Sequence, residues 1–257
     1  MTALHVESFG SGQPLVMLHG WGMHSGIWGS AVAQLADHYQ VHCVDLPGYG
    51  ASSGLAHYNL EAIVAALTAH FTEPVSVCGW SLGGQVALCW AQLAPQHVDK
   101  LVLVATTPRF VKCAGWDCAM TEESLREFAD AVLENYTLTL KRFIALQVRG
   151  SEHERALLAE LRSLLFSRGK PDQAALRGGL EILRDTDMRA GLGDIAQAAL
   201  VIAGERDTLT PAAASAYLAQ AMPNARFIEI KGAAHVPFLS HSDLFVKHVT
   251  EFMNERI

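Results

Sequence analysis

The chain has 257 residues, 50% hydrophobic and 18% charged, enough for one large domain with a sizeable core or, less simply, two small ones. Its formal net charge of −7 argues against general nucleic-acid binding, which needs a basic footprint. No apolar run reaches the roughly 18 residues that span a bilayer, and the opening MTALHVESFGSGQP lacks the basic and apolar regions of a signal peptide, so neither membrane insertion nor export is expected.

From the N-terminus, PLVMLHG (14–20) is a continuous apolar run ending in glycine, as a strand buried on both faces should be. VHCVDLPG (41–48), PVSVCGW (74–80) and KLVLVAT (100–106) repeat the pattern. Between them, residues 27–39, 60–71 and 83–94 carry apolar positions at helical spacing. Strand–helix–strand alternation implies right-handed crossovers and a mostly parallel sheet flanked by helices. Residues 107–185 interrupt the rhythm. They contain no convincing strand and read as helices over 121–136, 138–148 and 153–166, the first opened by a weak capping box at Thr121 and Ser124. The βα pattern resumes at 198–207 and 225–235 and closes with a helix at 242–255. The expected organisation is an α/β core of 1–106 and 186–257 with a helical cap, 107–185, inserted between its halves.

The cap differs from the core in charge. Residues 107–185 hold 12 basic and 12 acidic side chains, so the rest of the chain carries the whole −7. Within 141–184 the balance is nine basic to five acidic. A cationic patch on an acidic protein steers an anionic partner, although a solvated helix face with i,i+4 pairs gives the same count. The five cysteines have no regular spacing and fit a reducing compartment, expected to be the cytoplasm. Cys43, Cys78 and Cys89 read as small buried hydrophobes. Cys113 and Cys118 lack the companion ligands of a metal site, and no metal is expected.

The strongest chemical signal is Gly79-Trp80-Ser81-Leu82-Gly83, followed by Gly84, between a predicted strand and a predicted helix. Such a sharp turn strains the serine backbone, leaves no room for side chains two residues away, and aims a helix N-terminus at developing negative charge. A serine hydroxyl needs a base and an orienting carboxylate to become a nucleophile. His235 follows the run FIEI and Asp207 follows ALVIAG, so both fall at the carboxyl edge of a parallel sheet, in the order Ser81…Asp207…His235. Glu205 and Asp187 are less well placed rivals for the acid, and His19 belongs to a different loop. That loop, His19-Gly20-Trp21-Gly22, can turn backbone N–H groups inward, so the oxyanion donors are assigned to Trp21 and Leu82. The loop Asp45-Leu46-Pro47-Gly48-Tyr49-Gly50 is expected to shape the rim of the site.

These features together resemble the α/β-hydrolase superfamily over essentially the whole chain. LHGWGMHSGIW, VDLPGYGASS, GWSLGG, RFIALQ, GGLEILRDTDMR and AAHVPFLSH further resemble the family of pimeloyl-[acyl-carrier protein] methyl ester esterases of bacterial biotin synthesis. RFIALQ and GGLEIL…TDMR lie in the cap, where general hydrolases diverge, and so are the more specific signals. The resemblance implies a serine carboxylesterase that frees the pimeloyl carboxylate and releases methanol, without an organic cofactor. It implies a substrate site of Trp21, Ser81, Leu82, Phe143, Ile144, Ala145, Leu146, Gln147 and His235, and an acyl-carrier protein as partner. Arg142 and Arg155 match the family's docking positions, whereas Leu138 and Ala159 stand where further basic residues are expected; Arg149, Arg162 and Lys141 are the candidates to compensate. A monomer is expected. The alternatives are a short-chain carboxylesterase, a C–C bond hydrolase with the same triad, or a slow-turnover small-ligand receptor.

Overall fold

The computed structural model describes residues 3–255; Met1, Thr2, Arg256 and Ile257, which end the expected core segments and begin the stretch inspected for a signal peptide, lie outside the described residues. Seven strands form one sheet: β1 (His5–Phe9), β2 (Gln13–Leu18), β3 (Tyr39–Asp45), β4 (Val75–Trp80), β5 (Val98–Val104), β6 (Ala198–Gly204) and β7 (Ala225–Ile230). Their order is β1-β3-β2-β4-β5-β6-β7, with every neighbouring pair parallel except β1 and β3. Six of the seven correspond to strands expected from the sequence. The exception is β1, whose residues HVESF are partly exposed along an edge. An edge strand carries no continuous apolar signal, and only its pairing with β3 makes it a strand.

β4 lies at the middle of this order and is buried at all six positions, as VSVCGW requires of a strand covered on both faces. The helices flanking the sheet are α1 (Gly29–Leu35), α2 (Leu60–His70), α3 (Leu82–Leu93), α7 (Ala212–Ala221), α8 (Pro237–Ser240) and α9 (Ser242–Met253). The helix expected over 27–39 is shorter than its pattern, because a 3₁₀ turn at Ser25–Trp28 precedes it and β3 begins at Tyr39. Trp28, Trp80 and Trp90 are fully buried. Truncating any one to alanine is worth roughly 3–5 kcal/mol of stability.

Three helices fall between β5 and β6: α4 (Glu122–Val148), α5 (Glu154–Leu164) and α6 (Gln173–Asp185). The two helices expected at 121–136 and 138–148 are the two arms of α4, which bends at Asn135 (φ −153°, ψ 80°). The bend has a local cause. The Asn135 side-chain oxygen accepts from Leu138 N–H at 3.1 Å and so caps the second arm, while Thr139 Oγ1 donates to the carbonyls of Ala131 and Asn135. Thr121 is the N-cap of the first arm, accepting from Ser124 N–H at 3.2 Å. None of the helices among the described residues is long and apolar enough to cross a membrane.

Candidate active site

Four loops that follow parallel strands converge at the carboxyl edge of the sheet: 19–24 after β2, Ser81 after β4, 205–210 after β6 and 231–236 after β7. Ser81 sits between β4 and α3 with φ 55° and ψ −117°, a conformation that side chains rarely adopt. Backbone bonds hold it there. Ser81 N–H donates to the Val104 carbonyl at 2.9 Å, and its own carbonyl accepts from Thr106 Oγ1 at 2.7 Å. The flanking glycines are steric necessities: a Cβ on Gly79 would run into the Gly83 carbonyl, and one on Gly83 into the Leu18 carbonyl.

His235 Nδ1 lies 2.7 Å from Asp207 Oδ2. A carboxylate only accepts, so Nδ1 carries the proton and Nε2 is left as the basic nitrogen. Asp207 is itself pinned: Oδ1 accepts from the N–H groups of Leu209 (2.8 Å) and Thr210 (3.0 Å), and Oδ2 accepts from Thr210 Oγ1 (2.8 Å). The His235 backbone is fixed from both sides. Its N–H donates to the Gln147 carbonyl (3.0 Å), and its carbonyl accepts from the Trp80 indole (2.8 Å). No hydrogen bond joins Ser81 Oγ to His235 among the described residues; such contacts commonly tighten only with substrate bound.

The rival acids are engaged elsewhere. Glu205 accepts from Gly232 N–H and Lys231 and supports the loop after β7. Asp187 is held to about 2 by the Arg189 guanidinium, with Arg109 beside it. His19 is structural: its Nδ1 bonds the Gly20 carbonyl at 2.8 Å, and its Nε2 accepts from Leu46 N–H at 3.0 Å. Complete burial lowers its pKa to about 4, so the ring is neutral and clamps the loop after β2 to the loop after β3. Trp21 and Leu82 are buried residues whose backbone N–H groups have no partner among the described residues; for Leu82 this is the free N–H of a helix start, and both are available to an oxygen brought between them.

Beside Trp21 lies an apolar cavity of about 160 Å³, lined by Trp21, Phe128, Phe143, Leu146, Leu180 and Leu183 together with four further residues. Of the segment 143–147, Phe143 and Leu146 reach this cavity, and Gln147 meets His235 through its carbonyl. Ile144 and Ala145 do not line it, because successive residues of a helix point 100° apart and only every third or fourth shares a face. The four arginines Arg142, Arg149, Arg155 and Arg162, with Lys141, are exposed, and their side chains make no ion pair or hydrogen bond among the described residues. They are spaced by seven in two pairs, so Arg142 and Arg149 share a face of α4 or its end, and Arg155 and Arg162 share a face of α5.

Sequence reasoning missed Thr210, Thr106 and the cavity residues Phe128, Leu180 and Leu183. Thr210 had a usable signal, a threonine three residues after a candidate acid; the apolar residues had none beyond ordinary helical patterning. All five cysteines are free thiols, and the Cys113 sulfur accepts from Arg189 instead of pairing with Cys118. Among the described residues no cluster of three His, Cys, Asp or Glu could hold a metal ion.

Residues 13–242 match the alpha/beta hydrolase fold family. The pimeloyl-[acyl-carrier protein] methyl ester esterase of Nitrosomonas europaea is 44% identical over 96% of this chain and 98% of its own. That of Chromobacterium violaceum is 42% identical over 97% and 98%. Among solved structures, an esterase from Exiguobacterium antarcticum superposes with a TM-score of 0.91 over 99% of this chain and 96% of its own, at 24% identity, a likeness of fold alone. A hydrolase from Pseudomonas aeruginosa PA01 gives 0.84 over 99% and 95%, at 28% identity.

Proposed function

The chain belongs to the alpha/beta hydrolase fold family, and on that premise we propose that it is a serine carboxylesterase that hydrolyses the methyl ester of pimeloyl-[acyl-carrier protein], releasing methanol and freeing a carboxylate for biotin synthesis. The observation that carries this reading is the near-full-length identity to esterases of that name, which spans the segment 107–185 as well as the sheet. We take that segment as a cap over the core of 1–106 and 186–257.

In the cycle, His235 Nε2 takes the Ser81 proton as Oγ attacks the ester carbonyl. The N–H groups of Trp21 and Leu82 hold the tetrahedral oxyanion; losing one such donor costs about 3 kcal/mol of transition-state stabilisation in related chemistry. Asp207 keeps the proton of the neutral ring on Nδ1 and stabilises the imidazolium. His235 then protonates the methoxide oxygen and methanol departs. The acyl group stays on Ser81 as an ester while its far end remains attached to the carrier. A water, deprotonated by His235, attacks this ester; the carboxylate leaves and Ser81 regains its proton. The apolar cavity beside Trp21 suits a methylene chain, and the unpaired arginines of α4 and α5 suit an acidic carrier.

Five free thiols fit a cytoplasmic enzyme. Apart from Leu133, Leu138 and Leu146 on α4, the large exposed hydrophobic residues sit singly on different elements, which fits a monomer. The deciding experiment supplies purified protein with pimeloyl-carrier-protein methyl ester and follows methanol and carrier mass. Demethylation by wild type and not by Ser81→Ala is expected. Hydrolysis of p-nitrophenyl butyrate with the carrier ester untouched would indicate a general short-chain esterase, and turnover of neither a ligand receptor.

A further inference from the structure

We infer that the cap sets the geometry of the oxyanion hole through the side chain of Trp21, and that Gly179 is the positioning residue that lets it do so. The inference rests on the assignment of Trp21 and Leu82 as oxyanion donors and deepens it. It starts from a feature the catalytic cycle leaves unused, the paired glycines of GGLEIL in the middle of α6. Glycine inside a helix weakens it relative to alanine, and here two stand together.

Both are needed for close approach. A Cβ on Gly178 would stand 2.5 Å from the Tyr58 side chain. One on Gly179 would stand 2.6 Å from Trp21 Cδ1, 3.1 Å from Trp21 Nε1 and 3.5 Å from Leu82 Cδ2. Gly179 therefore lies against the side chains of both residues assigned as oxyanion donors. One turn earlier on α6, the Leu176 carbonyl accepts from the Trp21 indole at 2.8 Å. From the other side, α4 closes on the same ring: Phe128 and Phe143 each meet Trp21 edge to face, with centroids 5.3 Å away. Leu140 of α4 also crowds Gly22, where a Cβ would stand 2.8 Å from its Cδ2.

The Trp21 ring is thus gripped by two helices of the cap, while its backbone carries one of the two donors. Rotating or lifting the ring turns that N–H, and misplacement by about 1 Å can cost on the order of a hundredfold in rate. The ring is also a wall of the 160 Å³ cavity. An acyl chain seated there presses on the same lever, so the fit of the chain is expressed in kcat as well as in KM.

The test uses p-nitrophenyl acetate, whose acyl group is too small to fill the cavity and which needs no carrier. Failure of the carrier-protein reading therefore leaves this result standing, and the reverse also holds. Gly179→Ala is expected to lower kcat about tenfold to a hundredfold with KM within twofold, while the circular dichroism spectrum and the folded fraction stay at wild-type values. Adding Trp21→Phe, a smaller ring, is expected to recover part of that loss. Trp21→Phe alone, which creates no overlap but removes the bond to Leu176, is expected to lower kcat by a smaller factor and to weaken a boronic acid inhibitor in parallel. Wild-type kcat in Gly179→Ala overturns the proposal. So does a loss that tracks only the folded fraction. If Gly179→Ala does not fold, unchanged kcat and inhibitor affinity in Trp21→Phe overturns it.

Discussion

The sheet and the helices between β5 and β6 serve one site by opposite means. On the sheet side, Ser81 hangs on Val104 and Asp207 on Leu209 and Thr210 by backbone hydrogen bonds, and His235 takes the Trp80 indole on its carbonyl while its N–H reaches across to Gln147 of α4. A strand end fixes its loop, so these groups stand where the topology puts them. On the helical side the backbone supplies two carbonyls, Gln147 to His235 and Leu176 to the Trp21 indole. Otherwise α4 and α6 meet these loops through ring edges, a cavity wall and a glycine step, and the arginines of α4 and α5 are exposed. On the proposed function, reactivity belongs to the sheet side and selection to the half that packs mostly by side chains, where a substrate preference can change without rebuilding the proposed triad.

Substitutions can break or sharpen that contrast. The largest effect is expected on the sheet side. Ser81→Ala should lower kcat on any ester by a factor on the order of 10⁴ or more with an unaltered denaturation midpoint; a residual rate above a few per cent removes Ser81 from the mechanism.

The clamp between the loops after β2 and β3 is expected to give the next largest effect. His19 is buried neutral with a pKa lowered to about 4, so the unfolded chain binds a proton more readily than the folded one between pH 6.5 and 4. Its share of stability is intact above pH 6.5 and is lost as pH falls toward 4, amounting to roughly 3 kcal/mol. Urea titrations at pH 7 and 4.5 should show a steeper acid loss for wild type than for His19→Gln, whose amide oxygen still takes the Leu46 N–H but does not titrate. Parallel losses would assign the acid sensitivity elsewhere.

On the helical side, reversing Arg142 and Arg155 to glutamate should raise KM for the carrier-bound ester by about tenfold, an effect that shrinks at high salt. The same pair should leave p-nitrophenyl acetate hydrolysis at the wild-type rate. Equal effects on both substrates would mean that the arginines support the fold and not the partner. The smallest change is expected at the bend of α4: Asn135→Ala removes the cap on Leu138 and should cost about 1 kcal/mol in a denaturant titration.

Much of the sheet was legible because a strand buried on both faces must be a continuous apolar run, and β2 to β6 announce themselves that way. Of the two edge strands, β7 is mostly unburied and was legible from the strand–helix rhythm, whereas β1, only partly buried, is defined by its pairing with β3. Among the helices, α6 and α7 were not separately anticipated. GGLEIL reads as a poor helix former and AAASAYLAQA has little amphipathic contrast; packing against Trp21, Tyr58 and β6 is what stabilises them.

The sequence by itself determined the strand–serine–helix turn at Ser81, the places of Asp207 and His235 after two further strands, and the glycine-rich turns, because each depends on local backbone geometry that only certain residues allow. Only the tertiary structure decided which of the residues 143–147 reach the cavity, and that Gly179 lies against Trp21 and Leu82. Those are contacts between elements more than a hundred residues apart in several cases, as with Trp21 and Leu176, and no local preference encodes which side chains will meet once the helices settle on the sheet.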